Sequence, residues 1–292
     1  MCGIAGLFLK NKALEPELGN LTATMLGVLS DRGPDSAGFA IYGAGTPGNM
    51  KLTLRGPAHY DFPALAAGLG ISYSLHDDHA VFTFPLAREA EIRAALATCP
   101  EIAIVAAGTR MELFKGVGLP RDVSNRFGLA KMSGSHAIGH TRMATESAVT
   151  TEGAHPFSTG PDQCLVHNGS LSNHNDVRRK LIREHIIFET QNDTEVAAGY
   201  LSWKLREGAK LNEALNAALK DLDGFYTFVV GTESGFGVLR DPVACKPAVM
   251  AETDDYVAFG SEYRALADLP GIAKANLFEP EPGKIYFWER AA

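Results

Sequence analysis

A chain of 292 residues with 46% hydrophobic content can bury a substantial core, in one large domain or two ordinary ones, without disulfide staples. Its 27 basic and 34 acidic residues give a formal net charge of -7 with no long basic run, so no nucleic-acid partner is expected. The four cysteines, Cys2, Cys99, Cys164 and Cys245, are far apart and form no CxxC pair. That argues against a zinc site or a disulfide framework and for a reducing, cytoplasmic setting.

The apolar run from Cys2 to Leu9 lacks a basic n-region and ends at Lys10, too early for a signal sequence. No stretch approaches the ~20 apolar residues of a membrane helix, so no membrane association is expected. Gly3 to Leu9 instead reads as a buried strand that holds the N-terminus in the fold. Leu18, Leu21, Met25 and Leu29 recur at helical spacing, and Gly33-Pro34 stops that helix. Ala37 to Tyr42 and Met50 to Leu54 flank a Gly-rich turn at 43–48 and suggest a hairpin.

From Tyr60 to Gly134 the texture changes: a helix at Ala64 to Leu69, a strand at Ala80 to Phe84, an Ala-rich helix at Ala87 to Thr98 and a strand at Ile102 to Ala106. This segment reads equally as an α/β insert, about 60–134, or as more of one domain. Short strands follow at Ile138 to Arg142, Cys164 to His167, Phe225 to Gly231, Phe236 to Leu239, Tyr256 to Phe259 and Ile285 to Trp288. Helices at Thr194 to Arg206 and Leu211 to Leu222 interrupt them, and Pro156 to Gln163 reads as a loop. Grouped strands and helices point to layered α+β with antiparallel sheets rather than a doubly wound parallel sheet.

Cys2 has a property no internal cysteine shares. Once Met1 is removed, a free α-amine sits on the same residue as the thiol, and its ordinary pKa of roughly 7.7–8.0 lets it relay the thiol proton. Alone, Cys2 is as well read as a small buried hydrophobe. However, MCGIAG is followed in order by RGPDS (Arg32 to Ser36), GHTRMAT (Gly139 to Thr145), HNG (His167 to Gly169) and NDTE (Asn192 to Glu195). LRDPVACKP (Leu239 to Pro247) and GSE (Gly260 to Glu262) extend the pattern. This ordered set resembles the class II glutamine amidotransferases, which are N-terminal-nucleophile (Ntn) hydrolases.

The resemblance implies a four-layer αββα sandwich with two antiparallel sheets, spanning 1–292 as one glutamine amidotransferase type-2 domain. It implies Cys2 as nucleophile, with Asn168 and the Gly169 backbone N–H as oxyanion donors. Arg142 would grip the substrate α-carboxylate and Asp193 the α-ammonium, while Thr145 and Arg32 would shape the glutamine pocket. Each has a plainer reading. Arg142 fits a surface ion pair, Asp193 a helix N-cap, Asn168-Gly169 a hairpin turn and Arg32 a turn-stabilising residue. His155 and His167 fit hydrogen-bonded core histidines and receive no proton-transfer role. Glu146 and Met143 depart from residues frequent in the family, and Cys99, Cys164 and Cys245 are read as buried.

No synthase domain, P-loop or phosphoribosyl-pyrophosphate signature is seen, so the ammonia acceptor is expected on another polypeptide. The architecture most resembles the stand-alone glutaminase components of glutamate-synthase-like complexes, especially the amidotransferase component of N-methylglutamate synthase (methylamine-glutamate N-methyltransferase) and GlxB-type proteins. That implies no cofactor or metal in this chain and FMN, with an iron–sulfur cluster as a further candidate, in glutamate-synthase-like partner subunits. A non-catalytic glutamine sensor and an Ntn amidase acting on another amide are the competing readings.

Overall fold

The computed structural model describes residues 1–144 and 148–290. In chain order its first half contains β1 (Gly3–Leu9), α1 (Leu18–Val28), β2 (Ser36–Tyr42), β3 (Asn49–Arg55), α2 (Phe62–Leu69), β4 (Ser72–His76), β5 (His79–Pro85), α3 (Glu89–Leu96), β6 (Ala103–Gly108), β7 (Met111–Val117), α4 (Pro120–Phe127) and β8 (His136–Arg142). The second half contains β9 (Phe157–Gly160), β10 (Gln163–Leu171), α5 (His174–Arg183), α6 (Asp193–Arg206), α7 (Leu211–Asp221), β11 (Gly224–Gly231), β12 (Gly235–Arg240), β13 (Val249–Glu252), β14 (Tyr256–Gly260), β15 (Asn276–Phe278) and β16 (Ile285–Glu289).

Two antiparallel sheets face one another. One has the order β15-β13-β14-β1-β8-β2-β7, the other β16-β12-β11-β10-β9. Ile4 and Phe8 of β1 point into the space between them and meet Val166, Val229 and Phe236 from the second sheet. The alternate residues Ala5, Leu7 and Leu9 point the other way, into a core shared with Met25 and Leu26 of α1 and Phe127 of α4. All seven residues of β1 are buried because both faces are covered, which is why the run is continuously apolar rather than alternating. Gly6 has no room for more: a Cβ there would sit 2.8 Å from the Phe236 ring. On the far side, Val196, Ala197, Leu201 and Leu215 of α6 and α7 pack with Val177 and Leu181 of α5 against β10 and β11. The result is the four-layer αββα arrangement of an Ntn hydrolase.

A third antiparallel sheet, β4-β5-β3-β6, carries α2 and α3 and has its own core of Leu52, Leu54, Phe62, Phe82, Phe84 and Ile92. It begins at Asn49 and ends at Gly108, which shifts the expected insert of 60–134. The segment beyond it returns to the main body, where β7 pairs with β2 from Ser36↔Val117 to Tyr42↔Met111. The expected hairpin across 43–48 is also corrected. β2 already has β7 and β8 on its two edges, so no edge remains for β3, which pairs with β5 and β6 in the other sheet. The Pro156 to Gln163 segment contains β9, anchored by the buried Phe157 and paired to β10. Among the described residues, no helix is long and apolar enough to cross a membrane.

Candidate active site

Cys2 lies immediately before β1, whose neighbours β14 and β8 bring two chain segments to its side. From β8 comes Arg142, one step beyond the Gly3↔Thr141 pair. From the end of β14 comes Ser261, which accepts the Ile4 N–H at 2.9 Å while its own N–H donates to the Ile4 carbonyl at 3.0 Å. Cys2 is therefore fixed beside the ends of β8 and β14. A cleft of about 800 Å³ opens there, lined among others by Cys2, Arg32, Arg142, Asn168, Gly169 and Asp193. Six of the seven residues singled out as site candidates thus share one cavity. The seventh, Thr145, lies outside the described residues, as does Glu146.

Asn168 reaches across from the second sheet. Its Nδ2 donates to the Cys2 carbonyl at 3.3 Å and to Ser261 Oγ at 3.2 Å. Its Oδ1 lies 3.1 Å from His140 Nε2, which is also 3.2 Å from the His167 carbonyl. Both partners of that nitrogen are acceptors, so Nε2 carries the proton, and its bond to Oδ1 fixes which end of the Asn168 amide faces Cys2. Asn168 and Gly169 are not a hairpin turn. β10 continues through them, pairing Asn168 with Thr227 and Gly169 with Tyr226. Gly169 has φ 144°, and a Cβ there would lie 2.0 Å from the Phe225 carbonyl oxygen, so this strand position requires glycine.

Burial opposes ionisation of the Cys2 thiol. In the chain that begins at Met1, the interaction with His140, the Met143 N–H at 3.4 Å from Sγ and the nearby Met1 ammonium outweigh it and bring the pKa down to about 7. A substantial thiolate fraction is therefore present at neutral pH.

Arg142 is 6% exposed and places a guanidinium in the cleft, where Nη1 also donates to the Ala148 carbonyl at 3.4 Å. Asp193 opens α6, but the N-cap is Asn192, whose Oδ1 accepts the Thr194 N–H at 2.9 Å. Asp193 instead receives the Leu171 N–H on Oδ2 at 2.9 Å and keeps its carboxylate at the cleft wall. Arg32 is buried and spends its Nε on the Cys2 carbonyl at 2.9 Å, with Nη1 paired to Glu262. Its contacts hold the nucleophile's backbone.

His155 and His167 both reach Thr194 Oγ1, at 2.7 and 3.0 Å. Burial depresses both, His167 to about 4, so they are neutral near pH 7. Cys164 is buried against Tyr42, and burial pushes its thiol up to about 12. Cys99 is half-buried and Cys245 exposed, which corrects the expectation that all three are buried. Cys245 sits in an irregular turn after β12, not in a strand.

Three site residues escaped notice in the sequence although each lies inside a quoted motif: His140 in GHTRMAT, Ser261 in GSE and Asp35 in RGPDS, whose Oδ2 accepts the Ala144 N–H at 2.8 Å. A fourth, Lys115, belongs to none of them.

A family model described as a glutamine amidotransferase domain matches residues 140–268. The chain is 61% identical to the glutamine amidotransferase-like protein GlxB of Rhizobium meliloti (strain 1021), over 99% of this chain and 98% of that protein. It is 33% identical to a putative glutamine amidotransferase of Methanothermobacter thermautotrophicus, over 98% of this chain and 99% of that one. Among solved structures, the glutamine phosphoribosylpyrophosphate amidotransferase from B. subtilis, complexed with ADP and GMP, superposes with a TM-score of 0.63 at 22% identity. That match covers 99% of this chain and 47% of the longer one, so this chain spans about half its length and shares its fold.

Proposed function

The chain belongs to the class II glutamine amidotransferases, and from that premise we propose that it hydrolyses L-glutamine to glutamate and ammonia through a Cys2 thioester. The observation that carries this reading is the convergence of Cys2, Asn168, Gly169, Arg142 and Asp193 on one cleft. With Met1 removed, the Cys2 α-amine takes the thiol proton and the thiolate attacks the side-chain amide carbon. Asn168 Nδ2 exchanges its 3.3 Å bond to the Cys2 carbonyl for the substrate oxygen, while Arg32 keeps that carbonyl. With the Gly169 N–H it stabilises the oxyanion, and the C–N bond breaks as the α-ammonium returns the proton to the leaving ammonia. Water then hydrolyses the thioester, releasing glutamate and restoring the thiol. Arg142 holds the α-carboxylate with charge-assisted hydrogen bonds and Asp193 the α-ammonium, while Thr145 lines the pocket.

The ammonia goes to a separate glutamate-synthase-like, FMN-dependent partner, with this chain acting as the glutaminase component of an N-methylglutamate synthase in the cytoplasm. Near full-length similarity to a glutamine amidotransferase-like protein supports the glutaminase half of this reading. The test is glutamate and ammonia release by the purified, Met1-processed chain, alone and co-expressed with an FMN-binding partner. Turnover that rises with the partner, and N-methylglutamate formed when methylamine is supplied, are expected. No glutaminase activity in either preparation refutes the glutaminase reading, and turnover indifferent to the partner refutes the complex.

A further inference from the structure

We propose that Arg55 and Lys115 are positioning residues for the glutamine site: Lys115 from the main sheet and Arg55 from the four-stranded insert together hold the loop that walls the Cys2 cleft. The proposal rests on the glutaminase reading. Ala148, Thr150, Glu152, Gly153 and His155 line that cleft, and the stretch from 148 to 155 contains no helix or strand to occupy its backbone groups. A few are satisfied within the loop, as the Ala154 N–H is by the Thr151 carbonyl, and the others need partners from elsewhere. Lys115, on β7 and 8% exposed, supplies two of them: its Nζ donates to the carbonyls of Glu152 and Ala154, both at 3.0 Å. An ammonium taken this far from water depends on its hydrogen bonds, and both come from this one loop. The Lys115 Nζ also lies 4.5 Å from the centre of the Phe157 ring.

The insert completes the grip. Arg55, at the end of β3, pairs its Nη2 with Glu152 Oε1 at 2.5 Å. The loop in turn meets the proposed α-carboxylate clamp, because the Ala148 carbonyl accepts Arg142 Nη1 at 3.4 Å. Contacts therefore run from the insert through the loop to a substrate-binding side chain, and loosening them is read in KM. A second cleft of about 330 Å³ opens between β6 and β9, with Arg55, Lys115 and Glu152 in its wall, and Glu152 lines both clefts. The latch thus stands between the two openings, where movement of the insert reaches the glutamine wall directly.

The experiment measures KM and kcat for glutamine together with hydrogen–deuterium exchange of residues 148–155. Arg55→Ala and Glu152→Ala are each expected to raise KM roughly three- to tenfold with kcat within about twofold, an interaction energy of order 1 kcal/mol. The double variant should be no worse than the more affected single one, and Arg55→Lys should return KM to within about twofold of wild type. Exchange across 148–155 should rise in Arg55→Ala. Lys115→Met should raise KM more than either; if it does not fold, the Arg55 series decides. Unchanged KM in the folded Arg55 and Glu152 variants, or additive effects in the double variant, overturns the proposal. If wild type itself does not hydrolyse glutamine, the glutaminase reading fails, and the latch stands or falls on whether Arg55→Ala increases exchange in the loop.

Discussion

Replacing Asn168 with Ala separates chemistry from binding. The side chain presents Nδ2 toward Cys2, with Oδ1 fixed by His140 at 3.1 Å. Removing a preorganised oxyanion donor of this kind costs roughly 2.7–4 kcal/mol of barrier, or about 10²–10³ in kcat. The structural penalty is smaller. Ser261 Oγ keeps its bond to the Ile4 N–H, and His140 Nε2 keeps the His167 carbonyl, so neither is orphaned. Each lost hydrogen bond then costs about 0.5–1.5 kcal/mol of stability. Asn168 is assigned to neither the α-carboxylate nor the α-ammonium, so KM should stay within about threefold. The assay is glutamate release coupled to glutamate dehydrogenase, with stoichiometric iodoacetamide labelling of Cys2 to show that the nucleophile is intact. A folded, labelled Asn168→Ala protein whose kcat stays within fivefold of wild type would refute the oxyanion assignment.

Cys2→Ala should fold and lose glutamine hydrolysis, and intact-mass measurement should find active protein beginning at Cys2; full activity in protein retaining Met1 would rule out the N-terminal amine as base. Arg142→Ala and Asp193→Ala should raise KM for glutamine about 10- to 100-fold, the scale of hydrogen bonds to charged groups, and unchanged kinetics in both would overturn the clamp. In protein that retains Met1, alkylation of Cys2 should follow thiolate with a midpoint near pH 7, and His140→Phe should move that midpoint upward. Because the folded-state pKa is depressed, the thiolate favours the folded form, a contribution complete above the unfolded thiol's pKa and lost as pH falls through about 7; pH titrations of stability in wild type and Cys2→Ala check the sign. Phe236→Ala should cost about 3–5 kcal/mol in denaturant unfolding, since Phe236 is fully buried between the sheets.

Most of the central elements were legible because their periodicity reflects burial that the final structure keeps. β1 spans the predicted Gly3 to Leu9, and α6 and α7 differ from their predicted spans by one residue at an end. The misses have local causes. β4 is exposed along most of its length and carries Ser72 and Ser74, so it shows no buried face to detect. α5 is strongly charged and was hidden by its polar surface, although Val177 and Leu181 bury a narrow stripe. The 43–48 turn looked like a hairpin because local sequence records that a chain reverses, while the choice of sheet depends on β7 and β8, which lie about seventy and one hundred residues further on.

The site divides along the same line. Residues proposed to act through their own chemistry, such as Cys2 and Arg142, stand in compact motifs whose order could be read. Residues that act by holding others could not be read, because their importance lies in pairings across long separations: Ser261 to Ile4 over 257 residues, and Arg55 to Glu152 over 97. Lys115 illustrates the point most sharply. In the sequence it is one lysine in MELFKGV, on the strand face of Met111, Leu113 and Val117 and with Phe114 and Gly116 beside it, so no regular alternation marks which way it points. Folding places it under the loop from 148 to 155, where burial lowers its pKa to about 8 and two loop carbonyls hold it. Lys115 shares its strand face with Met111 and Leu113, which are buried between the sheets. At its own position the cover is a loop contributed from elsewhere in the chain, and the lysine beneath it becomes the loop's anchor.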